Sequence, residues 1–163
     1  MGSRGVLFAI DDTTTKRLLA ARSDSGVMKI VEAIEEEWDD DFLTETDKAW
    51  DAMHRALSDG SLSPSGGSFP LNRAILGGKH LHRGDEYIVA LVTKDEVPAV
   101  ARALASLDDA AMRRRYQELV PGDYAPEYGD EDREYTVENF RDVVDLYARA
   151  AKAGRAVIFT VDQ

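Results

Sequence analysis

The chain has 163 residues, with 31 acidic side chains against 20 Lys or Arg, and no cysteine. The missing cysteine excludes disulfides, thiolate nucleophiles and sulfur-ligated zinc sites. The formal charge of −11 repels nucleic-acid phosphates and anionic membrane surfaces, and would attract a basic protein partner.

A length of this order predicts a single domain over 1–163, and 44% hydrophobic residues is ordinary for a soluble protein. RGVLFAI (4–10) is a near-continuous apolar run, the pattern of a strand buried on both faces. Asp11 and Asp12 end it, too soon for a signal-peptide core, and no segment reaches the ~18 apolar residues of a membrane span. The cytoplasm is the expected compartment. Asp11 and Asp12 also offer an N-cap for a helix over about 13–22. A second helix begins near Gly26, with Val27, Ile30, Val31, Ile34 and Trp38 in one stripe at steps of three and four. It closes on EEEWDDD (35–41), whose acids oppose the macrodipole of a helix C-terminus.

TETDKAWDAMHRAL (44–57) predicts a third helix, with Thr44 and Asp47 at capping-box spacing. On a helical wheel Ala49, Met53 and Leu57 fall to one side of Trp50, and His54, Asp47 and Asp51 to the other. That sets His54 on the seam between core and water, with Asp51 three residues before it and within reach. An Asp–His pair is half of a catalytic triad. No G-x-S-x-G elbow supplies the nucleophile, and Ser65 and Ser68 sit in the Gly/Ser/Pro-rich loop 58–70. Asp47, Trp50, Asp51 and His54 are therefore candidate ligand-binding residues, and no catalytic residue is assigned.

Strands are predicted near 73–77 and 86–92, joined by GGKHLHRGD. Gly77 and Gly78 follow the first, so they join the candidate ligand site. They are not a phosphate loop, because His80 stands where Ser or Thr belongs. His80 and His82 would share one face of an extended segment, but with only Asp85 or His54 to join them no metal site is assigned and no cofactor is expected. Helices follow around Val97–Leu107 and 108–119, the latter with Arg113 and Arg114 facing outward. The polar stretch 121–135 carries Tyr124, Tyr128 and Tyr135, a residue type enriched at interfaces and the candidate partner-binding set. Thr136 opens the last helix, whose inner face is Val137, Phe140, Val144, Tyr147 and Ala151, and Gly154 stands at its C′ position. AVIFTV (156–161) is a final buried strand.

Strand and helix do not alternate. This is the pattern of an α+β fold, with about four strands in a small mixed or antiparallel sheet, the two terminal ones central, and about six helices. Together RGVLFAI, TETDKAWDAMHRAL, AILGG (74–78), YIVALV (87–92) and VIFTVDQ resemble, in order and along essentially the whole chain, the YfbM-like family of small bacterial proteins, a domain of unknown function. The resemblance implies a compact α+β domain from a bacterial cytoplasm and carries over no activity and no catalytic residue. The functional expectation is a non-catalytic, immunity-like or regulatory domain that binds a basic protein. The alternative is a small-molecule-binding protein or modest hydrolase with its pocket at the His54 helix.

Overall fold

The structure, a computed structural model, describes residues 3–119 and 129–163. In chain order it contains β1 (Gly5–Ile10), α1 (Asp12–Ala20), α2 (Asp24–Glu37), a 3-10 turn (Asp40–Phe42), β2 (Leu43–Asp47), α3 (Trp50–Leu57), a second 3-10 turn (Leu71–Arg73), β3 (Lys79–His80), β4 (Tyr87–Val92), α4 (Val97–Ala105), α5 (Asp109–Gln117), α6 (Asp130–Ala153) and β5 (Ala156–Asp162). The sheet runs β2-β1-β5-β4-β3 and every pairing is antiparallel. This is the expected α+β fold, with the terminal strands β1 and β5 at the centre. No helix among the described residues is long and apolar enough to cross a membrane.

Both faces of the sheet are covered, which explains the uninterrupted apolar runs. Phe8, Ile10, Val89, Leu91, Ala156 and Ile158 point to one side, where Leu18 of α1 and Val27, Ile30 and Val31 of α2 close over them. Leu7, Ala9, Ala90, Val92, Val157 and Phe159 point to the other, against α3, α4, α5 and α6. Alternate residues of one strand thus feed two cores, each fully buried Leu, Ile, Val or Phe contributing about 1.5–3 kcal/mol. The caps follow local chemistry. Asp11 accepts from the Thr14 amide at 2.8 Å, Asp108 from the Ala111 amide at 2.8 Å, and Gly154 (φ 67) ends α6 in the left-handed region.

Four boundaries differ from the sequence reading. LTETD is an edge strand, not the start of a helix: Thr46 is buried and its hydroxyl donates to the Gly5 carbonyl at 2.9 Å, so the Thr44–Asp47 spacing caps nothing. Helix α3 begins at Trp50 with no side-chain cap. Ala74, Ile75 and Leu76 are buried, but in turns after a 3-10 segment, and the pairing strand is only Lys79–His80. A short apolar run reports burial, and burial alone does not distinguish strand from turn. Finally, α6 starts at Asp130, so Thr136 lies inside it, its hydroxyl donating to the Asp132 carbonyl at 2.8 Å.

The two halves of the larger core are joined by Tyr147, which is fully buried on α6 and donates its hydroxyl to the Ala74 carbonyl at 2.8 Å. Tyr147→Phe leaves that carbonyl without its donor and should cost about 1–3 kcal/mol. Thermal unfolding should show a fall of roughly 2–4 °C per kcal/mol at this chain length, with no change in circular dichroism of the folded state.

Candidate functional site

The predicted site residues fall into three separate places. The first is α3. Trp50 is an anchor in the core: its indole nitrogen donates to the Ser3 carbonyl at 2.9 Å and its ring lies 5.7 Å from that of Phe159. His54 is not on a seam, because the 58–70 loop and the 74–76 turn wrap over that side of the helix, leaving it 1% exposed. Its Nδ1 accepts from the Leu76 amide at 3.4 Å, and its Nε2 faces the Ser63 carbonyl at 2.9 Å. A nitrogen that accepts from an amide carries no proton, so the proton is on Nε2 and the ring is neutral. Burial depresses the pKa of His54 below the usual histidine value. Asp51 turns away and binds Arg55 at 2.6 Å, one helical turn on, so no Asp51–His54 hydrogen bond forms.

Gly77 and Gly78 stand where backbone meets backbone. A Cβ on Gly77 would overlap the Asn72 carbonyl, and one on Gly78 would lie 2.6 Å from the Leu91 carbonyl oxygen. Close approach accounts for both glycines.

The second place lies at the open edge of β2, where Asp47 meets Tyr135. The Tyr135 hydroxyl donates to Asp47 Oδ2 at 2.5 Å, bridging β2 and α6. Burial, together with that bond to a carboxylate, pushes the Tyr135 pKa up to about 12. Asp47 Oδ1 is enclosed and accepts no hydrogen bond among the described residues, while the Arg4 guanidinium lies 3.3 Å from it. The backbone of Asp47 sits at φ 47. Arg4, Glu45, Asp47, Tyr135 and Asn139 line an open depression of about 360 Å³ there. Strain, an unsatisfied carboxylate oxygen and a perturbed phenol coincide at this point, a combination characteristic of functional sites. Sequence spacing held no sign of it, since the two residues are 88 positions apart. Tyr124 and Tyr128 lie outside the described residues.

The third place is the acidic end of α2. Trp38 does not continue the buried stripe. It is the C-cap of α2 at φ 44, exposed, its ring edge-on to Phe8 at 5.9 Å. A bulky residue in the left-handed region is a genuine outlier. Glu36, Glu37, Asp39, Asp40 and Asp41 flank it in sequence, all exposed, and none makes an ion pair among the described residues. Glu35 differs, accepting from the Tyr87 hydroxyl at 2.8 Å. Trp38 and Asp47 are the two non-glycine residues with positive φ among those described, and they bracket this edge.

Comparison with known proteins agrees with the fold. The sequence matches the family described as Domain of unknown function (DUF1877) over residues 1–160. A crystal structure of YfbM from Escherichia coli, a protein of unknown function, is similar at a TM-score of 0.69 and 22% identity, over 97% of this chain and 99% of that one. No curated protein matches the sequence.

The enclosure of His54 has a pH signature. Its pKa is lowered on folding, so below pH ~6.5 the unfolded chain binds a proton that the folded chain resists. Stability is therefore level above that value and falls as pH drops through it, by at most about 1.4 kcal/mol per pH unit. Urea unfolding at pH 8 and pH 5 should show this loss. His54→Gln should be less stable at pH 8, by about 1–3 kcal/mol, yet lose less on acidification.

Proposed function

The chain belongs to the DUF1877 family, a domain of unknown function, and from that premise we propose a non-catalytic domain that binds a basic protein segment through the acidic end of α2. One observation carries the reading: five exposed carboxylates without ion-pair partners among the described residues flank, in sequence, an exposed tryptophan held in a strained conformation. Glu36 and Glu37, unpaired at the C-terminus of α2, are unfavourable to the isolated fold, and a role in recognition explains their placement, whereas Asp39 also caps the 3-10 turn that follows. Trp38 supplies the apolar anchor of a contact, and the carboxylates supply steering and a polar rim. The state of α3 supports the absence of acid–base chemistry there, since both ring nitrogens of His54 are engaged by backbone and Asp51 is engaged by Arg55. The role this suits is regulatory or immunity-like, in which the acidic face covers a basic surface of its partner.

A lysine- and arginine-rich peptide titrated into the protein at low salt should quench Trp38 fluorescence, with Trp38→Phe as the control for Trp50. Affinity should fall steeply with ionic strength. Replacing Glu36, Glu37, Asp39, Asp40 and Asp41 by their amides should weaken binding at least tenfold and flatten the salt dependence. Binding unchanged in that variant would remove the basis of the proposal.

The Asp47–Tyr135 depression supports a second reading, a small polar ligand at the β2 edge. Its oppositely charged lining, Arg4 against Glu45 and Asp47, suits a zwitterion. Saturation-transfer NMR with free amino acids should give a signal that Tyr135→Phe abolishes, while silence from the wild-type protein across the set would dispose of it.

A further inference from the structure

The two histidines between β3 and β4 have different surroundings. His80 is exposed, its Nε2 2.7 Å from the Leu76 carbonyl. His82 points inward, with 3% of its side chain accessible. Its Nδ1 lies 3.1 Å from the Gly84 carbonyl, and a carbonyl only accepts, so Nδ1 carries a proton and in the neutral ring the lone pair is on Nε2. That nitrogen makes no hydrogen bond among the described residues and faces Glu86 Oε1 at 3.8 Å. Across the ring is Asp24, the first residue of α2, held rigidly. Its Oδ1 accepts from the Arg83 amide at 2.8 Å and its Oδ2 from the Gly84 amide at 3.0 Å. Asp24 Oδ2 is 3.8 Å from His82 Nδ1. One potential ligand atom from each of Asp24, His82 and Glu86 lies within 4.8 Å of the other two.

These groups converge without satisfying one another. The carboxylate–imidazole distances, 3.8 Å on each side of the ring, are too long for hydrogen bonds, and the buried imidazole directs its unused Nε2 lone pair toward Glu86 while Asp24 flanks the Nδ1 side. We infer that Asp24, His82 and Glu86 form a binding site for a divalent transition metal of the zinc type. The donor set, one imidazole and two carboxylates, suits zinc better than magnesium or calcium, which take oxygen ligands. The Gly84 carbonyl on Nδ1 is the outer-shell partner that orients metal-binding histidines, and the Tyr87 ring, 6.2 Å away, packs against the imidazole. Zinc bonds of about 2.0–2.2 Å in a tetrahedron separate ligand atoms by about 3.4 Å. Closing on a metal therefore asks for an inward shift of under ~1.5 Å, which the exposed Glu86 side chain can supply. Water completes the coordination. The site would clamp the start of α2 to the β3–β4 loop, and it is independent of the acidic edge at the far end of that helix.

Zinc ion alone, titrated into metal-free protein by calorimetry with imidazole ¹⁵N NMR in parallel, tests this. One equivalent should bind and shift the His82 Nε2 resonance, leaving the rings of His54 and His80 in place. Glu86→Gln, at an exposed side chain that the fold does not need, should weaken binding at least tenfold, as should Asp24→Asn. His80→Gln should leave it unchanged. The site is refuted by the absence of saturable binding, by a response on His80 in place of His82, or by undiminished affinity in either carboxamide variant.

Discussion

The antiparallel pairing of β1 with β5 runs from Gly5 opposite Val161 to Ile10 opposite Ala156, and every other element is placed by it. Both strands are apolar on both faces, so the pair cannot stand with either face in water. Helices α1 and α2 answer one face and α3 to α6 the other. With its centre fixed, the sheet has β2 beside β1 and β4 beside β5, and the functional features lie at its margins. The Asp47–Tyr135 contact is at the β2 edge, and the Asp24–His82–Glu86 cluster adjoins the loop that reaches the opposite edge, β3.

What the sequence makes legible is what burial writes into it directly. β1, β4 and β5 are readable because two-sided burial demands unbroken apolar runs, and the end of α6 because a left-handed C′ position favours glycine. Burial also misleads. Ala74, Ile75 and Leu76 are as apolar as a strand and form a turn, and Trp38 extends a helical stripe by spacing alone while the chain has already left the helix. β2 is obscured by its own chemistry, since Thr and Asp serve both an edge strand and a helix cap, and only pairing with β1 decides between them.

The site residues divide along the same line. The acidic segment 35–41 is visible as composition, and its lack of ion pairs among the described residues is a property of the fold. The neutral ring of His54 depends on two backbone groups, at Ser63 and Leu76, that no local pattern brings near. The Asp47–Tyr135 bond and the Asp24–His82 approach likewise join distant positions. Chemistry-bearing residue types can be listed from a sequence, but which of them share a site is decided by tertiary packing.

The sheet's central pairing also sets a schedule for biosynthesis. β1 is made well before β5, yet each is the other's neighbour. Until residues 156–162 have left the ribosome, β1 and β4 both lack the strand that lies between them, and their bare edges are sticky templates. Such long-range closure is slow to form. The nascent chain is thus most exposed to misassociation just before β5 emerges, and a deletion of that one strand would take the middle out of the sheet, with consequences far greater than its seven residues would suggest.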